Sequence, residues 1–183
     1  PVSYAPHLSW ELLWLLWQKD IASARDEPWA YPWWAYIDGG DYRYATSPPD
    51  LVAMEVLSVL NGLVGGAALW VYHSSFNTAT PVVVRRKWRR AAVLVLMATA
   101  VVHLYSTSLY YLAELVAGLP NVDTQSFTGL WVKFVLANLP WATLPWLVLR
   151  WGYRQVCAKA KSPTCAGVAE GADGGGAPRT KKK

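Results

Sequence analysis

Charge is scarce in this chain: Asp, Glu, Lys and Arg together make up 16% of its 183 residues, while 54% are hydrophobic. That balance is too oily for a water-soluble globule. Cysteine is nearly absent as well. Cys157 and Cys165 cannot build a disulfide framework, and no paired Cys or His neighbours stand at zinc spacing, so both read as free thiols. Also missing are GxSxG, GxxxxGK(S/T), HExxH and CxxC, which removes the motif-bearing hydrolases, phosphate-binding loops, zinc peptidases and dithiol redox centres. Neither a metal site nor a cofactor is expected. What the chain does have is aromatic surface, with 12 Trp, 10 Tyr and 3 Phe. Trp and Tyr favour membrane interfaces, and the first expectation is an all-α integral membrane bundle.

Three apolar runs are long enough to cross about 30 Å of hydrocarbon as helices. Residues 51–72 carry Glu55 as their only charge. Residues 91–113 are apolar at first and then include His103, Tyr105, Ser106, Thr107, Ser108, Tyr110 and Tyr111. Residues 130–149 are interrupted by Lys133, Asn138, Pro140 and Pro145, so kinks are expected there. A fourth apolar stretch, HLSWELLWLLW at 7–17, reads as the end of a truncated helix, giving about four spans in all. A transmembrane domain is expected over 1–155.

The net charge of +5 is distributed by topology. Residues 18–50 hold three basic and six acidic side chains, RRKWRR at 85–90 holds five basic ones, 115–129 holds no Lys or Arg, and the chain from Arg150 onward holds eight. This alternation follows the positive-inside rule, which makes 85–90 a cytoplasmic loop and puts the C-terminal tail on the same side. Nucleic acid is therefore not an expected partner. Residues 156–183 are Gly- and Ala-rich without apolar periodicity and read as a disordered basic tail. Its terminal lysines fit either a retrieval signal of the endoplasmic reticulum or a solubilising end.

Ionisable groups inside a bilayer cost at least about 2.5 kcal/mol on insertion scales, so those within the runs are candidates for function. His7 and Glu11 stand four apart, close enough to share a proton, with Trp10 and Trp14 flanking the same face. A solvated pair within an aromatic belt is the plainer alternative. Glu55, Ser58 and Gly62 line one stripe of their helix, either as a pocket wall or with Glu55 hydrated at headgroup level. His103, Thr107, Tyr110 and Glu114 form a polar stripe at i, i+4, i+7 and i+11, which should face the bundle interior. Asn138 and Trp141 pair an amide with a large ring. Gly62, Gly65 and Gly66 read as close helix packing. Carboxylates, a His and many π-faces in an oily bundle suit protonation of a carbon–carbon double bond, stabilisation of the cation and loss of another proton.

Five segments in register over roughly residues 5–150 resemble the emopamil-binding protein family, whose shared unit is the EXPERA domain. They are H-x3-E at His7 and Glu11, W-x-x-Y-x3-GDYRY at 33–44, DLVAMEVLS at 50–58, LYSTSLYYLAE at 104–114 and F-V-x-A-N-L-P-W at 134–141. The resemblance implies a multispan protein of the endoplasmic reticulum membrane acting as a cholestenol Δ8–Δ7 isomerase. Alternatives within its reach are a non-catalytic sterol-binding or trafficking protein like the sigma-2 receptor, or a terpenoid isomerase or cyclase using the same proton relay.

Carried over by position, the resemblance implies that His7 and Glu11 deliver the proton and that Glu55 stabilises the cation or takes part in proton transfer. Asn138 and Trp141 would orient and cover the substrate, with Tyr44, Ser58 and Tyr105 lining the pocket. Tyr110 and Glu114 also match family positions. Asp41 and Arg43 are expected as a structural ion pair. Where the sterol isomerases have Gly-Gln and Gly-Asp around the Tyr, this chain has Val102-His103 and Ser106-Thr107, which implies a different polar lining. The implied partners are a sterol or other lipid olefin, membrane lipids and cationic amphiphilic inhibitors, with a homodimer left open.

Overall fold

The computed structural model describes residues 7–77, 79 and 81–157, and every regular element among them is helical. The expected tail, apart from its first two residues, and Cys165 lie outside the described residues. Cys157 is a free thiol at the end of the last helix. A wide-turn π-helical segment, His7–Glu11, leads into α1 (Leu12–Ser23), which is kinked at Trp17. Two short helices follow, α2 (Tyr31–Ile37) and α3 (Arg43–Thr46). Then come α4 (Pro49–Ser74), α5 (Val82–Ala117), a second π-helical segment (Thr128–Leu136) and α6 (Leu139–Cys157).

Three of these are long and apolar enough to cross a membrane: Pro49–Ser74, Val82–Ala117 and the combined Thr128–Cys157. They match the three long runs of the sequence, with longer ends. The stretch at 7–17 does not form a fourth such helix among the described residues. It packs as the π turn and the first half of α1 against the bundle, with Trp14 fully buried. Much of the surface of the long helices is bare Leu, Val and Trp, including Leu57, Leu60, Leu63, Val101, Leu112, Leu115, Val116 and Trp146, a surface suited to lipid tails.

Helix ends follow local chemistry. Pro49 opens α4 at a position where its missing N–H costs nothing. Gly118 ends α5 with φ +84°, and Leu119 N–H closes back on the Glu114 carbonyl at 2.8 Å. Between Val82 and Gly118 no breaker occurs, and Arg and Lys are good helix formers. Residues 85–90 are therefore not the loop expected from their charge but part of α5. At 36 residues that helix runs about 54 Å at ~1.5 Å per residue, well beyond the hydrocarbon thickness.

α5 packs between α4 and α6. A Cβ added at Gly152 of α6 would lie 2.5 Å from Met97 Cγ of α5, so the bare glycine gives the Met97 side chain its place and an alanine there would displace it. Gly62 performs the same service for the π turn: a Cβ there would meet the His7 Cβ at 2.7 Å. Gly65 is buried in α4, whereas Gly66 faces open space and packs against nothing.

Candidate functional site

Six elements enclose a cavity of about 330 Å³, within the range of small-molecule sites. Its walls come from Trp10 and Glu11 of the π turn, Tyr36 of α2, Tyr44 of α3, Met54, Glu55 and Ser58 of α4, and Ser106, Thr107 and Tyr110 of α5. Ala137, Asn138 and Trp141, at and beside the start of α6, complete it.

Glu11 is the most fully coordinated carboxylate on this wall. His7 Nδ1 lies 2.5 Å from Oε2, and Trp141 Nε1–H donates to Oε1 at 3.0 Å. Exposures of 1% for His7 and 5% for Glu11 exclude the solvated pair. Behind His7, its Nε2 stands 3.3 Å from His103 Nδ1. With both rings neutral, His103 Nδ1–H donates to His7, and His7 Nδ1–H donates to Glu11. When His7 is protonated, the first bond reverses and His103 becomes the acceptor. The three groups form a hydrogen-bonded chain that ends at His103, whose Nε2 is buried with no partner among the described residues.

Glu55 is 6% exposed, so it is not the hydrated headgroup-level residue of the alternative reading. Tyr44 O–H donates to its Oε1, while Oε2 has no hydrogen-bond partner among the described residues. Burial, followed by the neighbouring charge of Glu55, pushes the Tyr44 phenol well above its ordinary range, which keeps it protonated as that donor. Tyr44 is fixed in turn by Trp14, which donates from Nε1 to its carbonyl at 3.0 Å and meets its ring edge-on.

On the far wall, Asn138 Nδ2 donates to the Tyr36 hydroxyl at 3.0 Å and to the Phe134 carbonyl at 2.8 Å. Tyr36 bonds the Tyr110 hydroxyl at 2.7 Å, and Tyr110 O–H donates to Asp41 Oδ2 at 2.5 Å. Asp41 and Arg43 form the expected structural pair, at 2.7 Å, and Arg43 Nε also reaches Glu114 Oε1 at 3.0 Å. The guanidinium lies 4.6 Å from the centre of the Tyr110 ring. One buried cation thus holds two carboxylates and one wall of the cavity.

Of the expected site residues, Glu11, Tyr44, Glu55, Ser58, Thr107, Tyr110, Asn138 and Trp141 meet at the cavity, and His7 stands directly behind Glu11. Three are placed otherwise. Tyr105 is 66% exposed on the outer surface of α5. It follows His103 by two residues and precedes Thr107 by two, about 200° of helical turn each way, so it cannot share their face. His103 faces inward but backs His7 instead of lining the cavity. Glu114 is taken up by Arg43 and by Asn121 Nδ2 at 2.9 Å.

Tyr36 was not among the expected site residues, although it lies within the W-x-x-Y segment. A short helix outside every apolar run gave no membrane signal to single it out. Ser106 was noted only as a departure from the family pattern, yet it lines the wall. No group of three His, Cys, Asp or Glu side chains among the described residues is placed to hold a metal ion. No protein-family model matches the chain, and no curated protein gives a significant match.

Proposed function

We propose that the chain is a membrane isomerase that moves a carbon–carbon double bond in a sterol-like lipid olefin, with the cavity as its reaction chamber and no cofactor beyond the proton. The observation that carries the reading is the division of labour between two carboxylates on one wall. Glu11 is tied to a histidine pair, and Glu55, which also lines the cavity, keeps one buried oxygen without a hydrogen-bond partner among the described residues. Glu11, recharged through His7, delivers a proton to one alkene carbon and leaves a tertiary cation on the other. Glu55 and the faces of Trp10, Tyr36 and Trp141 stabilise that charge. Glu55 then takes up a different proton from a neighbouring carbon as that C–H electron pair re-forms the double bond, so the reaction balances without an oxidant or reductant.

The resemblance to the emopamil-binding protein family supports a sterol as the substrate and the endoplasmic reticulum as the location, and the charge alternation along the sequence supports a cytoplasmic 85–90 end and C-terminal tail. Ser106 and Thr107 in the lining favour a second reading, in which the olefin is a more oxygenated terpenoid. A sterol receptor without turnover has no such observation in its favour, because binding alone does not require a histidine relay behind Glu11.

The deciding experiment is conversion of zymostenol to lathosterol in membranes of sterol-isomerase-deficient cells expressing the protein, beside His7→Ala, Glu11→Gln and Glu55→Gln. Turnover by the wild type and its loss in the variants is expected. Absence of turnover in a well-folded wild type would sink the sterol isomerase reading.

A further inference from the structure

The opposite end of the bundle contains a second cavity, of about 320 Å³, between the last turns of α4 and the first turns of α5. Trp70, Ser74 and Ser75 form one side of it, and Val84, Arg85 and Trp88 the other. Two arginines one helical turn apart behave differently here. Arg89 is committed to structure: its guanidinium donates to Ser75 Oγ at 3.2 Å and to the Ser75 carbonyl at 3.4 Å, and stacks 4.0 Å from the Phe76 ring. In that position it caps the negative end of α4. Arg85 borders the cavity with a buried Nε that has no hydrogen-bond partner among the described residues.

Nothing acidic in the surrounding sequence can supply that partner. No Asp or Glu occurs from residue 56 to 113, or anywhere in α6, whereas 85–90 holds five basic residues and α6 adds Arg150 and Arg154. The ion pairs among the described residues all lie toward the other end. Arg85 is only partly buried, so its guanidinium remains open to an acceptor from outside the protein, and the acceptor that suits it best is a carboxylate or phosphate oxygen.

We propose that this cavity binds the phosphate of an anionic phospholipid headgroup, with Arg85 as its primary donor. A lipid is chosen over a free anion because the walls are apolar and face outward. Trp70 is 75% exposed and Trp88 55% exposed, two indoles placed beside a phosphate site as at a membrane interface. Acyl chains leaving the headgroup would run down the bare Leu and Val surface of α4. The inference rests on α4 and α5 lying in a bilayer and is independent of the isomerase reading.

The test is native mass spectrometry of the full chain purified from vesicles of phosphatidylcholine and phosphatidylglycerol, counting the lipids each protein retains. Wild type is expected to retain one phosphatidylglycerol in preference to phosphatidylcholine. Arg85→Gln should weaken that preference about tenfold, the lower range for a hydrogen bond to a charged group, while Arg86→Gln, on the exposed side, leaves it within about twofold. Arg85→Lys, which keeps the charge but removes the Nε donor, should behave like Arg85→Gln, and unchanged melting temperatures would show that both variants fold. Equal retention of the two lipids overturns the proposal. So does an equal loss in Arg85→Gln and Arg86→Gln, or full rescue by lysine, since either means diffuse attraction. Displacement by millimolar inorganic phosphate overturns it in favour of a free-anion site.

Discussion

Around Glu11 and Arg43 the ionisable groups are buried, close together and of both signs; around 85–90 they are of one sign and are mostly exposed. The long helices α4 and α5 run through both ends, but at the cavity end the π turn and the short α2 and α3 add their side chains to Glu55 and Glu114. The difference reflects what each end must do with charge. A buried carboxylate persists only with partners, and the cavity end supplies them residue by residue: His7 and Trp141 for Glu11, Tyr44 for Glu55, Arg43 for Asp41 and Glu114. At the basic end Arg89 is held by Ser75, while Arg86, Lys87 and Arg90 are exposed and need no partner from the protein. Glu55 Oε2 at the cavity end and Arg85 Nε at the basic end are atoms of charged side chains left without a partner, one acceptor and one donor, and at the cavity end the ring nitrogens Trp33 Nε1 and His103 Nε2 are unpartnered among the described residues as well.

Substitutions at the two ends should therefore differ in kind. The largest effect expected is on turnover: Glu11→Gln or Glu55→Gln should reduce isomerisation about 10²- to 10⁴-fold, the range of a general acid or base, with the melting temperature in detergent little changed. A comparable loss from Arg89→Gln at the far end would erase the contrast. Next comes stability. Arg43→Met leaves Asp41 and Glu114 buried without a cation and should cost about 3–5 kcal/mol, measured by thermal or denaturant unfolding. Removing Arg89, which is itself partly exposed and caps the end of α4 at Ser75, should cost about 1 kcal/mol or less.

Gly62→Ala should fall between these, at about 1–3 kcal/mol, because its Cβ would press on His7. Activity should fall more steeply than stability in this variant, as the hydrogen-bonded chain at His7 is displaced. The smallest effect belongs to Tyr105→Ala. Its phenol faces outward, and a change within about 0.5 kcal/mol with near-normal turnover is expected. A strong defect there would mean that the cavity opens on that side of α5.

The contrast was only half legible in the sequence. Long apolar runs locate α4, α5 and α6 because hydrocarbon imposes a length, but a basic segment looks the same whether it loops or continues a helix. That is why 85–90 was expected outside α5. Charges inside apolar runs, together with the family resemblance, identified His7, Glu11, Glu55, Asn138 and Trp141 as residues to explain. Periodicity gives the face of a helix and not the neighbour it meets. His103 was rightly placed on the inward stripe, yet whether it touched substrate or another imidazole depended on how closely α4 admits the π turn at Gly62. Tyr105 shows the opposite limit, where a motif carried over by resemblance conflicts with helical rotation.

The unbroken length of α5 ties the two ends together as a matter of phase. One residue inserted between Ala91 and Ala100 would turn everything beyond it by about 100°, swinging His103, Thr107 and Tyr110 away from their partners while leaving Arg85 and Arg89 in place. Seven inserted residues would restore the angle to within about 20° but push the polar stripe about 10 Å along the axis, beyond the reach of Glu11. The apolar middle of α5, which carries no chemistry of its own, is thus a spacer with both a fixed pitch and a fixed length. Its freedom to vary lies in which apolar residues it uses, not in how many.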